Sequence, residues 1–362
     1  MDPNLLLQQL NLAKDTLNRP DFAELKKNDP TERIIRETRR TITETKGGQN
    51  VTKAWLKIYE LLLSTIRTQD NVGQISSTFT PVTVGQTLLQ KDTVTAFLNA
   101  EFPGSFLFAL NHFVRSNGKK LEWVIASYFP RDSTGKDFLK DDYQLKQKYP
   151  DQVLVGRVTT NKGAFWVDGD MTHSKMPEIL SQLALSRLKV EGVDLYTADG
   201  GFGVEGRENL QEQLSLPLIR GEIETGMRSL RKGGIFVLKH FTFFTVSMFT
   251  LLIFLMRHFE AFDLIKPSTS GQLNSELYFV GVGFRGVTPD DLKTLAQDPM
   301  NPTTIYAQMS GPETQYLLER LNFFFSRQIN AINNFITNPS QNVINTTALI
   351  QTVPKLDLSM QL

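Results

Sequence analysis

Short runs of consecutive apolar residues alternate along the middle of the chain with longer segments whose apolar residues recur every three or four positions. Runs of the first kind mark strands buried on both faces; the second pattern marks amphipathic helices. Strand-like runs fall at residues 121–128, 153–158, 193–198, 234–238 and 277–282. A helix is predicted over 54–66, with Trp55, Ile58, Tyr59, Leu62 and Ile66 on one face. Further helices are predicted over 175–188 and 209–230, the latter interrupted by Pro217. The most apolar stretch, 241–256, is bracketed by Lys239 and His240 on one side and Arg257 and His258 on the other. It is shorter than the about 20 residues of a bilayer span and contains Thr242, Thr245, Ser247 and Thr250, so it reads as a buried helix packed on a sheet. Alternation on this scale predicts an α/β fold with a mostly parallel sheet covered on both faces.

Helical patterns around 5–17 and 31–44 precede this region and end at Gly47-Gly48. In the second, Arg33, Arg36, Arg39 and Arg40 lie mostly on one side, with Glu32, Glu37 and Glu44 as available partners; a phosphate-contacting arm is the alternative. After Gly286 the strand pattern stops. Apolar residues at 318, 321, 325, 329, 332 and 336 form a helical ladder over 313–337, suited to packing on the main domain or on a partner. The tail, 338–362, is polar, contains Pro339 and Pro354, and is expected to be poorly ordered. The expected organisation is a helical arm over 1–50, an α/β domain over 51–286, and a helical extension with a polar tail over 287–362.

Composition narrows the chemistry. Lys plus Arg number 39 against 38 for Asp plus Glu in 362 residues, so a polyanion must be held by a local patch and not by a global field. The absence of cysteine excludes disulfide frameworks, thiolate zinc sites, iron–sulfur ligation and cysteine nucleophiles. Histidines 112, 173, 240 and 258 show no metal-ligand spacing, and no metal is expected. The first residues carry Asp2 and no basic run before their leucines, unlike a secretory signal; cytoplasmic residence without membrane association is the expectation.

In an open α/β sheet, ligands bind beyond the carboxyl ends of the strands. Asp199 follows the run 193–198, Lys239 follows 234–238, and Glu276 opens the run at 277. Lys57 sits among apolar residues early in its helix. Two structural salt bridges at strand ends would account for these four groups. Their order and surroundings, Ala54-Trp55-Leu56-Lys57, Ala198-Asp199-Gly200-Gly201, Gly233-Gly234 through Lys239, and Lys266-Pro267-Ser268 through Ser275-Glu276, also resemble the FtsJ-like RNA 2′-O-methyltransferases. They are most similar to the viral cap-methylating branch found in large DNA viruses of the African swine fever virus type.

The resemblance covers about residues 51–286 and implies a Rossmann-like S-adenosylmethionine-dependent methyltransferase sheet with helical N- and C-terminal extensions. It implies a catalytic tetrad of Lys57, Asp199, Lys239 and Glu276, with S-adenosyl-L-methionine as methyl donor and RNA, specifically a capped messenger end, as substrate. A ribosomal or transfer RNA target stays open. Donor contacts are expected from Glu101, Pro103, Gly104, Ser105 and Phe106, which fit a Pro-Gly-Gly-aromatic signature with Ser105 in place of the second glycine, and from Asp170. Leu98 stands where the family often has an acid. A viral protein partner on the C-terminal helix, and residence in the host cytoplasm or the virion, go with the viral branch.

The chemistry of such a transfer sets a demand on the central lysine. A ribose hydroxyl must lose its proton as the new bond forms, so Lys239 is expected as the base-like group. Repulsion from Lys57 would lower its pKa, while Asp199 and Glu276 would oppose that shift. Gly201-Phe202-Gly203-Val204-Glu205-Gly206 also spells a dinucleotide fingerprint, but Asp199 and Glu205 would repel a pyrophosphate, and a substrate-side loop is the preferred reading. Arg36, Arg39 and Arg40, with Tyr128, Phe129 and Trp166, are candidate RNA contacts, although core or loop packing is the favoured reading of each aromatic. The alternative function is a catalytically inactive scaffold that binds RNA or protein.

Overall fold

The computed structural model describes residues 2–68, 81–131, 141–161, 163–204, 207–297, 311–341 and 343–362. Four helices come first: α1 (Pro3–Asp15), α2 (Phe22–Lys27), α3 (Pro30–Lys46) and α4 (Lys53–Leu63). They are followed by β1 (Thr65–Thr68), β2 (Pro81–Thr83), α5 (Val84–Leu88), β3 (Thr93–Asn99), α6 (Ser105–Ser116) and β4 (Lys120–Ala126). A short α7 (Leu145–Lys148) leads to a hairpin of β5 (Gly156–Thr160) and β6 (Gly163–Val167). Then come α8 (Met176–Leu188), β7 (Val193–Ala198), α9 (Gln211–Ser229), β8 (Leu230–His240), α10 (Val246–Arg257), β9 (Phe259–Ile265) and β10 (Leu277–Phe284). Helices α11 (Pro289–Gln297), α12 (Pro312–Thr337) and α13 (Thr347–Thr352) close the order.

Eight strands share one sheet in the order β2-β1-β9-β10-β8-β7-β3-β4, and β5 pairs with β6 separately. The class is α/β. Every residue of β7 and β10 is buried, which is why both read as unbroken apolar runs. Helices α8, α9 and α10 pack side by side, and α4 packs on α6. The sheet is mixed where a mostly parallel one was expected. Strands β4, β3, β7 and β8 pair in parallel, whereas β8–β10, β10–β9, β9–β1 and β1–β2 are antiparallel. The segment joining β9 to β10 is shorter than a helical crossover requires, so these strands meet antiparallel.

Local chemistry moves several predicted boundaries. Ser64 ends α4 early and Ile66 belongs to β1. Val153 makes only an isolated bridge to Ile125, and the strand proper begins at Gly156. Helix α9 runs unbroken through Pro217, because the proline forfeits one hydrogen bond near the first turns while burial of Leu216, Ile219 and Ile223 holds the helix in place. Helix α10 starts only at Val246, where Thr245 caps it and the Glu212 carboxylate accepts from the Phe244 and Thr245 N–H groups at 2.9 and 2.6 Å. Among the described residues no helix is long and apolar enough to cross a membrane.

The flanking segments pack on the core. The tail is docked, contrary to its polar reading: Leu356 N–H donates to the Lys46 carbonyl at 2.8 Å, Leu362 N–H to Gln49 Oε1 at 2.9 Å, and Val353 and Leu356 are buried. Helix α12 packs on α1 and α10, burying Leu321, Phe325 and Ile332 of its apolar ladder within the chain, while Leu318, Ile329 and Ile336 are half-buried. In α3, Glu32 pairs with Lys53 and not with an arginine, and Arg39 donates to the Val51 carbonyl at 2.7 Å. Arg33, Arg36 and Arg40 are exposed.

At the amino end of the parallel strands, Asp194 ties three of them together. Its Oδ2 accepts from Thr95 N–H at 2.8 Å and Oγ1 at 2.9 Å, while Oδ1 pairs with Lys91 at 2.7 Å and with Arg231. Burial alone would raise this carboxyl, but Lys91, Thr95 and Arg231 together hold it below the usual range. Its contribution is therefore present above pH about 4 and lost as acid titrates through the depressed folded value. Asp194→Ala, which orphans the Thr95 N–H, is expected to cost about 2 kcal/mol in urea unfolding at pH 7, with the deficit shrinking towards pH 3.

Candidate active site

Strand register brings the first two site residues side by side. Ala198 of β7 lies opposite Leu238 of β8, so Asp199 and Lys239 reach the same carboxyl edge of the parallel strands. Strand β10 runs the other way, with Leu277 opposite His240 and Tyr278 opposite Lys239, so its beginning meets that edge and brings Glu276 there. Lys57 arrives from outside the sheet. Thr52 caps α4 by accepting from Trp55 N–H, and the helix buries Trp55, Leu56, Ile58 and Tyr59. Its polar side docks on the segment between β9 and β10. Glu60 accepts from the Ser268 and Thr269 N–H groups at 2.6 and 3.0 Å, and Lys57, three residues earlier on the same side, reaches Glu276.

All four charged groups converge. Lys239 Nζ donates to the Asp199 carbonyl at 2.7 Å and lies 3.3 Å from Asp199 Oδ1. Lys57 Nζ lies 2.6 Å from Glu276 Oε1, which also accepts from Ser270 Oγ at 2.7 Å. The Tyr278 hydroxyl donates to Asp199 Oδ1 at 2.8 Å. These four ionic side chains are only 12–17% exposed, so each depends on its partner for solvation.

Burial alone would lower the pKa of Lys239, but Asp199, Glu276 and Glu222 outweigh it and the net shift is upward. Burial likewise raises Glu276, and Lys57 and Lys239 bring it below its ordinary value. The repulsion expected from Lys57 does not govern Lys239. It acts on Lys266, whose amine is pushed down to about 7, mainly by burial, against the attraction of Glu276. Lys266 donates to the carbonyls of Asn274 and Glu276 and to Asn274 Oδ1, each at 2.9 Å, and so braces the segment that carries Glu276.

Glu222 of α9 supports the site from behind. Its carboxyl is buried against Gly200, where an added Cβ would lie 2.1 Å from Oε1, so any larger residue after Asp199 would displace the carboxyl. Burial lifts its pKa to about 8, with Lys239 opposing and Asp199 adding to the shift. Glu222, Tyr278 and Lys266 were not singled out in the sequence as site residues. Tyr278 had a signal: it lies two residues beyond Glu276, where strand alternation returns a side chain to the same face.

A cleft of about 530 Å³ opens beside Asp199, lined by Asn99, Ala100, Phe102, Asp170, Met171 and Leu218 among others. Of the expected donor contacts, Asp170 lies on its wall; its Oδ1 accepts from Thr172 N–H at 2.9 Å and Oγ1 at 2.7 Å. Glu101, Pro103, Gly104, Ser105 and Phe106 instead form the turn behind the wall. The Glu101 carboxylate accepts from Phe106 N–H and, at 3.2 Å, from Leu107 N–H, capping α6. Gly104 has φ of 115°, and a Cβ there would meet Leu145 at 2.6 Å. Phe106 is fully buried, its ring centroid 6.4 Å from that of Tyr278. Carboxylates set among apolar walls fit a ligand that is part aromatic and part cationic.

The remaining sequence candidates fall around this cleft. Gly201 and Phe202 line it; Glu205 and Gly206 lie outside the described residues, and α9 begins only at Gln211, so the glycine pattern does not open a helix. Tyr128 lines the cleft and is exposed, Phe129 is buried, and Trp166 packs on Phe129 with the Arg131 guanidinium 5.6 Å from its ring centroid.

Residues 142–284, which include Asp199, Lys239 and Glu276, match the sequence model of the FtsJ-like methyltransferase family. Over this segment the chain is FtsJ-like. It is 34% identical over 294 residues to the probable methyltransferase EP424R of African swine fever virus (strain Badajoz 1971 Vero-adapted), covering 80% of this chain and 58% of the relative. It is 29% identical over 255 residues to a Danio rerio protein named cap-specific mRNA (nucleoside-2′-O-)-methyltransferase 2, covering 67% of this chain and 30% of that one. The Drosophila melanogaster protein of the same name is 27% identical over 294 residues, 79% of this chain and 37% of its own length. This FtsJ-like chain thus spans little more than half the length of the viral relative and less of the animal ones. Its mixed sheet is a Rossmann-like methyltransferase sheet with extra helices at both ends.

The Glu222 carboxyl gives a pH signature. Folded chains keep its proton up to about pH 8, whereas unfolded chains release it near 4.5, so native stability falls across that interval and levels off above it. Glu222→Gln has no proton to lose. Its stability relative to wild type is expected to rise progressively from pH 5 to 8 in urea titrations; a difference independent of pH would show that the carboxyl is ionised throughout.

Proposed function

We propose that this chain transfers a methyl group from S-adenosyl-L-methionine to the ribose 2′-hydroxyl of RNA, at the first transcribed nucleotide of a capped messenger. The observation that carries this reading is the convergence of Lys57, Asp199, Lys239 and Glu276 at one sheet edge beside a cleft walled by Asp170. The names of the animal relatives support the cap as the target. We assign the activity to residues 51–286, with 1–50 and 287–362 as helical additions, and its setting to the host cytoplasm.

Bound donor supplies a methyl group made electrophilic by its sulfonium. Asp170, Asn99 and Phe102 would hold it, with Asp199 at the reacting end. The ribose hydroxyl is a weak nucleophile until its proton leaves. Lys239, kept as an ammonium by the carboxylates around it, favours the hydroxyl oxygen as negative charge grows there, and the proton passes to water. Asp199 and Tyr278 fix the direction of that amine, and the Lys57–Glu276 pair walls the other side. A neutral lysine base would require the opposite pKa shift.

Tritium transfer from labelled donor to capped RNA tests the assignment. Wild type is expected to be active, and Lys239→Ala to lower the rate by roughly 100-fold or more while remaining folded. No transfer by folded wild type would overturn the enzyme reading in favour of a binding scaffold. Equal rates would remove Lys239 from the mechanism.

A further inference from the structure

A second cleft, about 480 Å³ in volume, opens between α12 and the segment that joins β9 to β10. Its ionisable lining is two guanidinium groups, Arg320 and Arg327, and the Lys266 amine, whose pKa lies at about 7, against the single carboxylate of Asp263. On α12, Arg320, Phe323 and Arg327 are spaced by three and four residues and so share a face. Phe323 is 44% exposed in spite of its size. The guanidinium of Arg327 lies 4.9 Å from its ring centroid and that of Arg320 5.3 Å. Arg320 is already committed to Asp263 at 2.9 Å and to the Leu264 carbonyl. Arg327 is exposed and has no ion pair among the described residues. Gln272, also exposed, contributes an amide to the lining.

A large ring left 44% exposed beside guanidinium groups, one of them without an ion pair among the described residues, is poor packing but suits a nucleotide, whose base joins the ring and guanidinium planes and whose phosphate meets the cation. The cationic lining disfavours a basic or purely apolar partner. The cleft also lies next to the candidate active site: Ser275 and Leu277, on either side of Glu276, line it, and so does Lys266, which donates to the Glu276 carbonyl at 2.9 Å. We infer that this cleft is a subsite for a nucleotide of single-stranded RNA flanking the one that is methylated. In it Phe323 stacks the base, Arg327 pairs with a phosphate, and Gln272 faces the base edge. The inference rests on the RNA reading above and extends it to the path of the strand.

Fluorescence anisotropy with a labelled eight-nucleotide RNA and the full chain tests the subsite. Phe323→Ala is expected to weaken binding roughly tenfold, and Phe323→Trp to retain it. Arg327→Ala should weaken binding and reduce the slope of log affinity against log salt by about one. Unchanged affinity in both alanine variants, with wild type binding, would overturn the subsite and leave this face to a protein partner. Methyl transfer by wild type to the capped form of the same RNA, measured alongside, separates the two ideas. Transfer with unchanged variant affinities overturns the subsite alone. Phe323-dependent binding without transfer overturns the reaction alone, and neither binding nor transfer overturns both.

Discussion

Two lysine–carboxylate pairs in a nearly dry setting, Lys239 with Asp199 and Lys57 with Glu276, are the constraint on which the rest of the molecule depends. Charges so little exposed are tolerated only when partners and hydrogen bonds replace the lost water. Each member comes from a different element, so sheet order, strand register and helix docking must all be correct before either pair exists. Much of the surrounding chemistry serves that end. Glu60 anchors α4 to the segment before β10, Lys266 braces that segment, and Tyr278 fixes the Asp199 carboxylate. Gly200 leaves room for Glu222 behind them.

The change of strand direction at β8 gives the site its composition. Parallel strands alone would present only their carboxyl ends at this edge. Because β10 enters antiparallel, the start of a strand lies there too, and Glu276 joins Asp199 and Lys239. The carboxylates of Asp199 and Glu276 beside one buried amine then decide its protonation, against the pull of desolvation.

Much of this was legible in the residues. Unbroken apolar runs located β7 and β10 because burial on both faces leaves no polar position, and charged residues at the ends of such runs identified three members of the tetrad. The direction of pairing was not legible, since an apolar run reads alike in parallel and antiparallel strands. Strand β9 was missed between an apolar helix and the Lys266 turn, and the sheet was expected to be mostly parallel. Glu222 lies in a helix whose polar and apolar positions give no warning that a carboxyl is buried. The signature at Glu101–Phe106 marked a turn, but only the structure shows that it follows β3 and that the Glu101 carboxyl is spent on capping α6 while Asn99, Ala100 and Phe102 face the cleft. The tail looked unstructured because its polarity hides backbone hydrogen bonds to α3.

Strand β3 pairs with β7 about a hundred positions further along the chain, and β8 joins both halves of the sheet. Contacts between such remote segments form slowly, because the intervening loop must be closed before any of them contributes. The pocket is therefore a late product of folding. A nascent or nicked chain lacking Glu276 and β10 has no acidic partner for Lys57, so only chains that have zipped the entire sheet hold both ion pairs.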